Sequence, residues 1–204
     1  MKLTLGMAEL EGINIKISRD DAKNAIETIV RFLEPNEGQL REGLKETPER
    51  VVKSWEEIFT GYSLNAEQVL ESTFNAEGYD GIVLLKDIEF HSTCEHHLLP
   101  FNGKAHVAYI PVDRIVGISK LARLVDLHTK KLQNQERITK GIADDLERNL
   151  SPLGSAVILE GSHGCMTCRG VKKQNSIMTT SAMRGVFFDK SEARAELMQL
   201  IQGN

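Results

Sequence analysis

The chain has 204 residues, about one and a half times a typical domain of roughly 100–150 residues, which suits one domain with a terminal element rather than several independent ones. Hydrophobic residues make up 41% and charged residues 26%, enough for a sizeable core under an ordinary polar surface. Lys plus Arg number 25 against 29 Asp plus Glu, a net charge of −4 that argues against a long nucleic-acid groove and leaves room for a compact anion site; three cysteines cannot make a paired disulfide framework.

The first residues are briefly apolar, but Glu9 and Glu11 interrupt them before a signal-peptide core could form. No apolar run approaches the roughly 20 residues that span a bilayer, so a cytoplasmic, reducing setting with no membrane partner is expected. The stretch before Arg19 has no firm period and reads as a loose arm. From Arg19, residues Ala22, Ile26, Ile29, Val30 and Leu33 recur at helical spacing, with Asp20 and Asp21 in the first turn and Pro35 and Gly38 as the stop. Thr47 is suited to cap a second helix, with Pro48 at its first position and Val51, Val52, Trp55, Ile58 and Phe59 on its apolar face. Asn65 is placed to cap a short helix through Val69 and Leu70.

Beyond Gly81 the period shortens to two. An apolar run at 82–85, then Ile88 and Phe90 alternating with Asp87, Glu89 and His91, reads as a strand, which a compact polar stretch at 92–100 interrupts. Ala105, Val107 and Tyr109 mark a second strand. Ser119 is placed to cap a helix bearing Leu121, Leu124 and Val125, with His128 one turn on as a boundary residue. Ile138, Ile142, Ala143, Leu146 and Leu150 mark another, closed by Pro152 and Gly154. Strands are expected at 156–159, 165–171 and 185–188, and a last helix near Ser191 buries Leu197, Leu200 and Ile201. Hairpins separated by paired helices indicate an α+β fold with an antiparallel sheet, because parallel units would alternate single strands and helices. Residues 1–80 read as a helical N-terminal extension and 81–204 as the sheet-bearing domain, one integrated unit.

The densest chemistry is Cys94-Glu95-His96-His97. Cys94 and His97, three apart in a tight turn, can reach one metal, and Cys165 or Cys168 can supply a further sulfur. A Cys–His–Cys triad leaves one zinc position open for water and marks a catalytic site, with His96 and His163 as proton carriers. Two plainer readings compete: a closed Cys₃His structural zinc site including Cys168, or buried thiols beside surface histidines. If 163–171 is extended, His163, Cys165, Thr167 and Arg169 share one face and Cys168 packs on the other, which disfavours the closed site. Basic residues recur at helical spacing as Arg50 with Lys53 and Lys120 with Arg123. The second pair follows Ser119 at a helix start, where free amide groups favour an anion. Gln135 and Glu136 open a helix; a polar first turn is the ordinary reading, and a carboxylate there could instead accept N–H groups of a purine edge.

Taken together, these residues resemble the zinc-dependent GTP cyclohydrolase I family. The resemblance rests on Ser92-Thr93-Cys94-Glu95-His96-His97-Leu98-Leu99-Pro100, Gly117-Ile118-Ser119-Lys120, Gln135-Glu136-Arg137-Ile138-Thr139, and His163-Gly164-Cys165-Met166 followed by Arg169-Gly170. Upstream, Arg41-Glu42-Gly43-Leu44 and Thr47-Pro48-Glu49-Arg50-Val51 look similar too, so it covers nearly the whole chain. It implies hydrolytic opening of the guanine imidazole ring of GTP at C8 by a zinc-activated water, loss of formate, and formation of 7,8-dihydroneopterin triphosphate, the first step of folate and pterin biosynthesis. Carried onto this chain, Cys94, His97 and Cys165 would hold Zn²⁺, and His96 and His163 would move protons. Glu136 would anchor the guanine edge with Gln135 assisting, and Ser119, Lys120, Arg123, Arg169, Arg50 and Lys53 would face the triphosphate or ribose. It also implies a tunnelling fold, a four-stranded antiparallel sheet with two helices on one side, over residues 81–204. Such subunits are expected to form a toroidal homodecamer with sites at subunit interfaces. Gly164 stands where a bulkier residue is expected, and Cys168 is a further departure that raises a Cys94–Cys165 or Cys165–Cys168 disulfide.

Overall fold

The computed structural model describes residues 8–10, 13–15, 17–34 and 38–203, in two compact units that divide between Thr60 and Gly61. In the first unit, β1 (Ala8–Leu10) and β2 (Ile13–Ile15) pair antiparallel, a hairpin where the sequence suggests a loose arm; residues 1–7, 11, 12 and 16 of that arm lie outside the described residues. Helix α1 (Arg19–Leu33) starts with a capping box in which Ser18 Oγ accepts from the Asp21 amide and the Asp21 carboxylate accepts from the Ser18 amide. It ends at Glu34, and the expected stop at Pro35 lies outside the described residues. Helix α2 (Thr47–Ile58) has Glu46 rather than Thr47 at its cap, without a side-chain bond, and carries Pro48 in its first turn, where a missing N–H costs nothing. Arg19 bridges the two helices, donating to Glu49 (2.6 Å) and Glu56 (3.0 Å), while Ile26 and Val52 are buried.

The second unit is built on a five-stranded sheet. Its long strands are β4 (Val83–Cys94), β5 (Pro100–Ile110), β8 (Gly154–His163) and β9 (Met178–Met183), adjacent in that order and all antiparallel. The two-residue β7 (Leu132–Gln133) joins the outer side of β4 in parallel, at Thr93 and Cys94 alone. Apart from it, α3 (Ala66–Leu70) leads into β3 (Thr73–Asn75), which pairs with β6 (Arg114–Val116). Helices α4 (Ile118–Thr129) and α5 (Gln135–Leu150) cover one face of the sheet. Alternation along β5 sends Phe101, Ala105, Val107 and Tyr109 to that face, where they meet Leu121, Leu124, Ile138, Ile142 and Leu146, all with almost no exposed surface. Full burial of each such side chain is worth about 1.5–3 kcal/mol. His128 joins the two helices through its Nε2 contact with Asp145 (2.8 Å), and Gly141 makes room for its ring. On the opposite face, α7 (Val186–Asp189) and α8 (Ser191–Gln202) bury Phe187 and Leu197 against Ala108 and Ala156.

The α+β class stands, with three local corrections. Residues 165–171 are not a strand: β8 ends at His163, and a helical turn, α6 (Gly164–Thr167), follows it. The last strand lies at 178–183 rather than 185–188, because Gly185 adopts φ +53 and turns the chain into α7. Ser119 is not the N-cap of α4; Gly117 is, without a side-chain bond, and Ser119 lies within the first turn. Among the described residues no helix is long and apolar enough to cross a membrane.

Candidate metal centre and active site

Four segments meet at one end of the sheet: the end of β4, the start of β5, β7 and the end of β8. Between Cys94 and Leu99 the chain makes a tight loop. The Cys94 amide donates to Leu99 O (2.9 Å) and the Leu98 amide to Cys94 O (2.8 Å), and Leu98 takes a left-handed φ of +55 to close the turn. The Glu95 amide donates to Gln133 O (3.0 Å), fastening the loop to β7.

This loop and the turn after β8 bring Cys94, His97 and Cys165 together. One ligand atom from each lies within 4.8 Å of the others, a spacing that can hold a metal ion. Two thiols and an imidazole are the donors zinc takes in catalytic sites with an open position, so the residues fit that ion. Cys94 is buried; burial and the neighbouring Cys94 sulfur push the Cys165 thiol up from its ordinary range. His97 turns Nδ1 toward Cys94 Sγ (3.8 Å) and Nε2 toward Arg169, whose Nη1 donates to it (3.1 Å). Cys168 is not part of the group. Its thiol is exposed and donates to Gly164 O (2.9 Å), so the expected packed thiol is a surface one, a consequence of the helical turn replacing the strand.

His163 lies two residues before Cys165. Its ring stacks flat on Phe101, with centroids 4.5 Å apart and planes 7° from parallel, and its Nε2 meets Gln135 Oε1 at 2.9 Å. Burial lowers its pKa and Glu136 opposes that, so the imidazole is neutral at physiological pH. His96 is far more open, with 65% of its side chain exposed, and its Nδ1 lies 3.8 Å from Cys94 Sγ.

Helix α5 starts at this same place, and its first turn is locked to the loop. Glu95 accepts two bonds from the Arg137 guanidinium and one from Asn134 Nδ2 (3.1 Å); the arginine holds the Glu95 carboxyl below its ordinary range. Asn134 also caps α5 by accepting from the Arg137 amide (2.8 Å). Sequence reading gives Glu95, Asn134, Arg137 and Phe101 no role; the signal available was their adjacency to the Cys-Glu-His-His and Gln-Glu-Arg segments. Glu136 is exposed, beside an open groove of about 490 Å³ between Lys140 on α5 and Thr180, Ser181 and Arg184 along β9. Gln135, by contrast, is wholly buried.

The basic residues divide. Arg169 is brought to the metal group, as described. Ser119, Lys120 and Arg123 lie at the start of α4, whereas the far end of that helix touches β4 next to the loop, where Ser92 Oγ donates to Thr129 O (2.6 Å). At 1.5 Å per residue these two ends are about 16 Å apart. Arg50 and Lys53 belong to the first unit; Arg50 is exposed and paired with Glu46 (2.9 Å), and Lys53 is exposed.

The chain is similar over most of its length to known proteins of one name. A family profile described as GTP cyclohydrolase I matches residues 22–202. A protein of Deinococcus radiodurans named GTP cyclohydrolase 1 is 56% identical over 164 residues, covering 80% of this chain and 76% of its own. A Rickettsia bellii protein of the same name is 47% identical over 188 residues, covering 91% of this chain and 96% of its own. A Brucella suis protein, again so named, is 45% identical over 201 residues, covering 98% and 93%.

Proposed function

The chain belongs to the GTP cyclohydrolase I family, and on that premise we propose that it opens the guanine ring of GTP at C8 by hydrolysis, releasing formate and yielding 7,8-dihydroneopterin triphosphate. The observation that carries the reading is the convergence of Cys94, His97 and Cys165 within 4.8 Å, beside a half-buried His163. Those three residues would hold zinc, which when bound supplies Lewis acidity and lowers the pKa of water toward neutrality.

The chain's own groups do the rest. His163, neutral and fixed against Phe101, takes a proton and returns it to the departing ring nitrogen. His96, exposed at the mouth of the loop, exchanges protons with solvent. Glu136 accepts the N–H groups of the guanine edge. Arg169 is drawn from His97 toward the anionic end of the substrate. Ser119, Lys120 and Arg123 offer the triphosphate a helix N-terminus with two cations. Because the start of α4 is about a helix length from the metal loop, that anion site serves a neighbouring copy's metal centre. Such sharing calls for a homo-oligomer; its form as a toroidal decamer of tunnelling-fold subunits, with β4, β5, β8 and β9 as the four-stranded sheet and α4 and α5 on one side, is carried over from the family resemblance.

The test is zinc-loaded protein with GTP, followed by formate release and pterin fluorescence after oxidation. We expect both products in equal amount. Zinc-loaded protein yielding neither formate nor pterin would refute the proposal. Changing Cys165→Ser should remove bound zinc and activity together. His163→Ala should keep zinc, by metal analysis, and lose about 100-fold or more in turnover.

A further inference from the structure

Gln135 is the first residue of α5 and has no exposed surface. Its Nε2 donates toward Met178 O (2.9 Å), Leu159 O (3.1 Å) and Thr180 Oγ1 (3.1 Å). Two of these are backbone carbonyls, which only accept, so the amide nitrogen must lie on this side. A flipped amide would press Oε1 against two carbonyl oxygens in a buried site, an arrangement with no compensating donor.

Two threonines complete the orientation. Thr139 Oγ1 donates to Gln135 O (2.8 Å), which leaves it an acceptor toward Thr180 Oγ1 (2.6 Å); Thr180 spends its hydrogen there and accepts from Gln135 Nε2. The direction of each hydroxyl bond is thereby fixed, and the two hydrogens of Gln135 Nε2 are shared among its three acceptors. Gln135 Oε1 is left facing His163 Nε2 at 2.9 Å, in space kept open by Gly161, where a Cβ would come within 2.5 Å of that oxygen. An amide oxygen has no hydrogen to give, so the proton of this bond is on the imidazole. A neutral imidazole carries one N–H, and placing it on Nε2 leaves Nδ1 bare.

We propose that Gln135 is a positioning residue: it holds His163 as the Nε2–H tautomer against Phe101, and so makes Nδ1 the atom that exchanges protons with the substrate. The first half stands on geometry alone; the second rests on the reaction proposed above. Gln135 therefore acts through His163 rather than on the guanine edge.

The experiment uses the zinc-loaded, assembled protein labelled with ¹⁵N-histidine, in solid-state NMR at mildly alkaline pH, with His163→Asn identifying the His163 signals by difference. We expect a pyrrole-type Nε2 and a pyridine-type Nδ1. In Gln135→Met, which keeps the volume and removes the acceptor, the two signals should move toward each other as tautomers mix. There kcat should fall about 10- to 100-fold, the usual effect of losing a partner that orients a histidine. KM for GTP should stay within about twofold, since no substrate contact is lost. A pyridine-type Nε2 in the unaltered protein, or an unchanged tautomer in Gln135→Met, overturns the proposal. A raised KM at unchanged kcat does so too, by making Gln135 a substrate contact. Should Gln135→Met fail to fold, the spectrum of the unaltered protein still decides the tautomer. Should the protein not turn over GTP, the reaction fails while the spectrum still judges Gln135.

Discussion

At Gly164 the backbone leaving β8 passes so near the start of β5 that a Cβ would lie 2.7 Å from Pro100 O. Family resemblance suggests a bulkier residue there, yet this chain uses the close approach to turn directly from His163 into the helical segment that bears Cys165. Gly164→Ala should therefore force the two strands apart, costing about 1–3 kcal/mol in denaturant unfolding, with a measurable drop in bound zinc as Cys165 is displaced. An unchanged midpoint and full zinc would show that the backbone yields freely. The residues most legible in the sequence are those whose type alone restricts them: two cysteines and a histidine have few other uses in such spacing. Gln135 is the opposite case. Its partners lie 24 to 45 positions away, and nothing in a helix-opening glutamine distinguishes a buried bracket from a surface amide.

Within the elements, β4 shows how a local irregularity is stabilised. Its pairing with β5 slips between Leu85 and Ile88, Asp87 takes a left-handed φ of +58, and the freed Asp87 amide donates to His106 Nδ1 (3.2 Å) across the bulge. Only neutral imidazole can accept there. Burial holds the His106 pKa below its ordinary value near 6.5, with Asp87 and Glu160 opposing and Lys104 and Lys86 adding to the depression. The unfolded chain thus binds this proton more readily than the native one. The contribution is fully present above about pH 6.5 and is lost as the pH falls below it. His106→Gln should flatten that part of the curve of melting temperature against pH; parallel curves for the two proteins would refute it. Amphipathic period sufficed to find α1, α2, α4 and α5, because each buries one clear stripe. It misplaced the last strand, since Met178–Met183 is an edge of threonine, serine and methionine with little alternation, whereas 185–188 is apolar for a different reason: Phe187 fills the pocket under α8. The same weakness turned 165–171 into a strand, where a glycine at a close approach, not periodicity, decides the path.

For the molecule as a whole, the separation between the metal loop and the start of α4 has a direct readout. If each site draws on two copies, specific activity should fall on dilution in step with light-scattering mass, while zinc remains bound. Constant activity down to the single chain would mean that one copy suffices. The sheet itself adds a second consequence. Among the described residues β7 covers the outer side of β4 only at Thr93 and Cys94, and β9 has a neighbour on one side only. Both margins therefore carry rows of backbone donors and acceptors able to template another strand. On β4 the charges of Lys86, Asp87 and Glu89 act as gatekeepers, but Met178-Thr179-Thr180-Ser181-Ala182-Met183 has none. A chain hindered from meeting its own copies, by heat or a damaged contact, should go into insoluble aggregates in which β9 is the segment most protected from hydrogen exchange. Assembly would then keep the protein in solution as well as complete its sites.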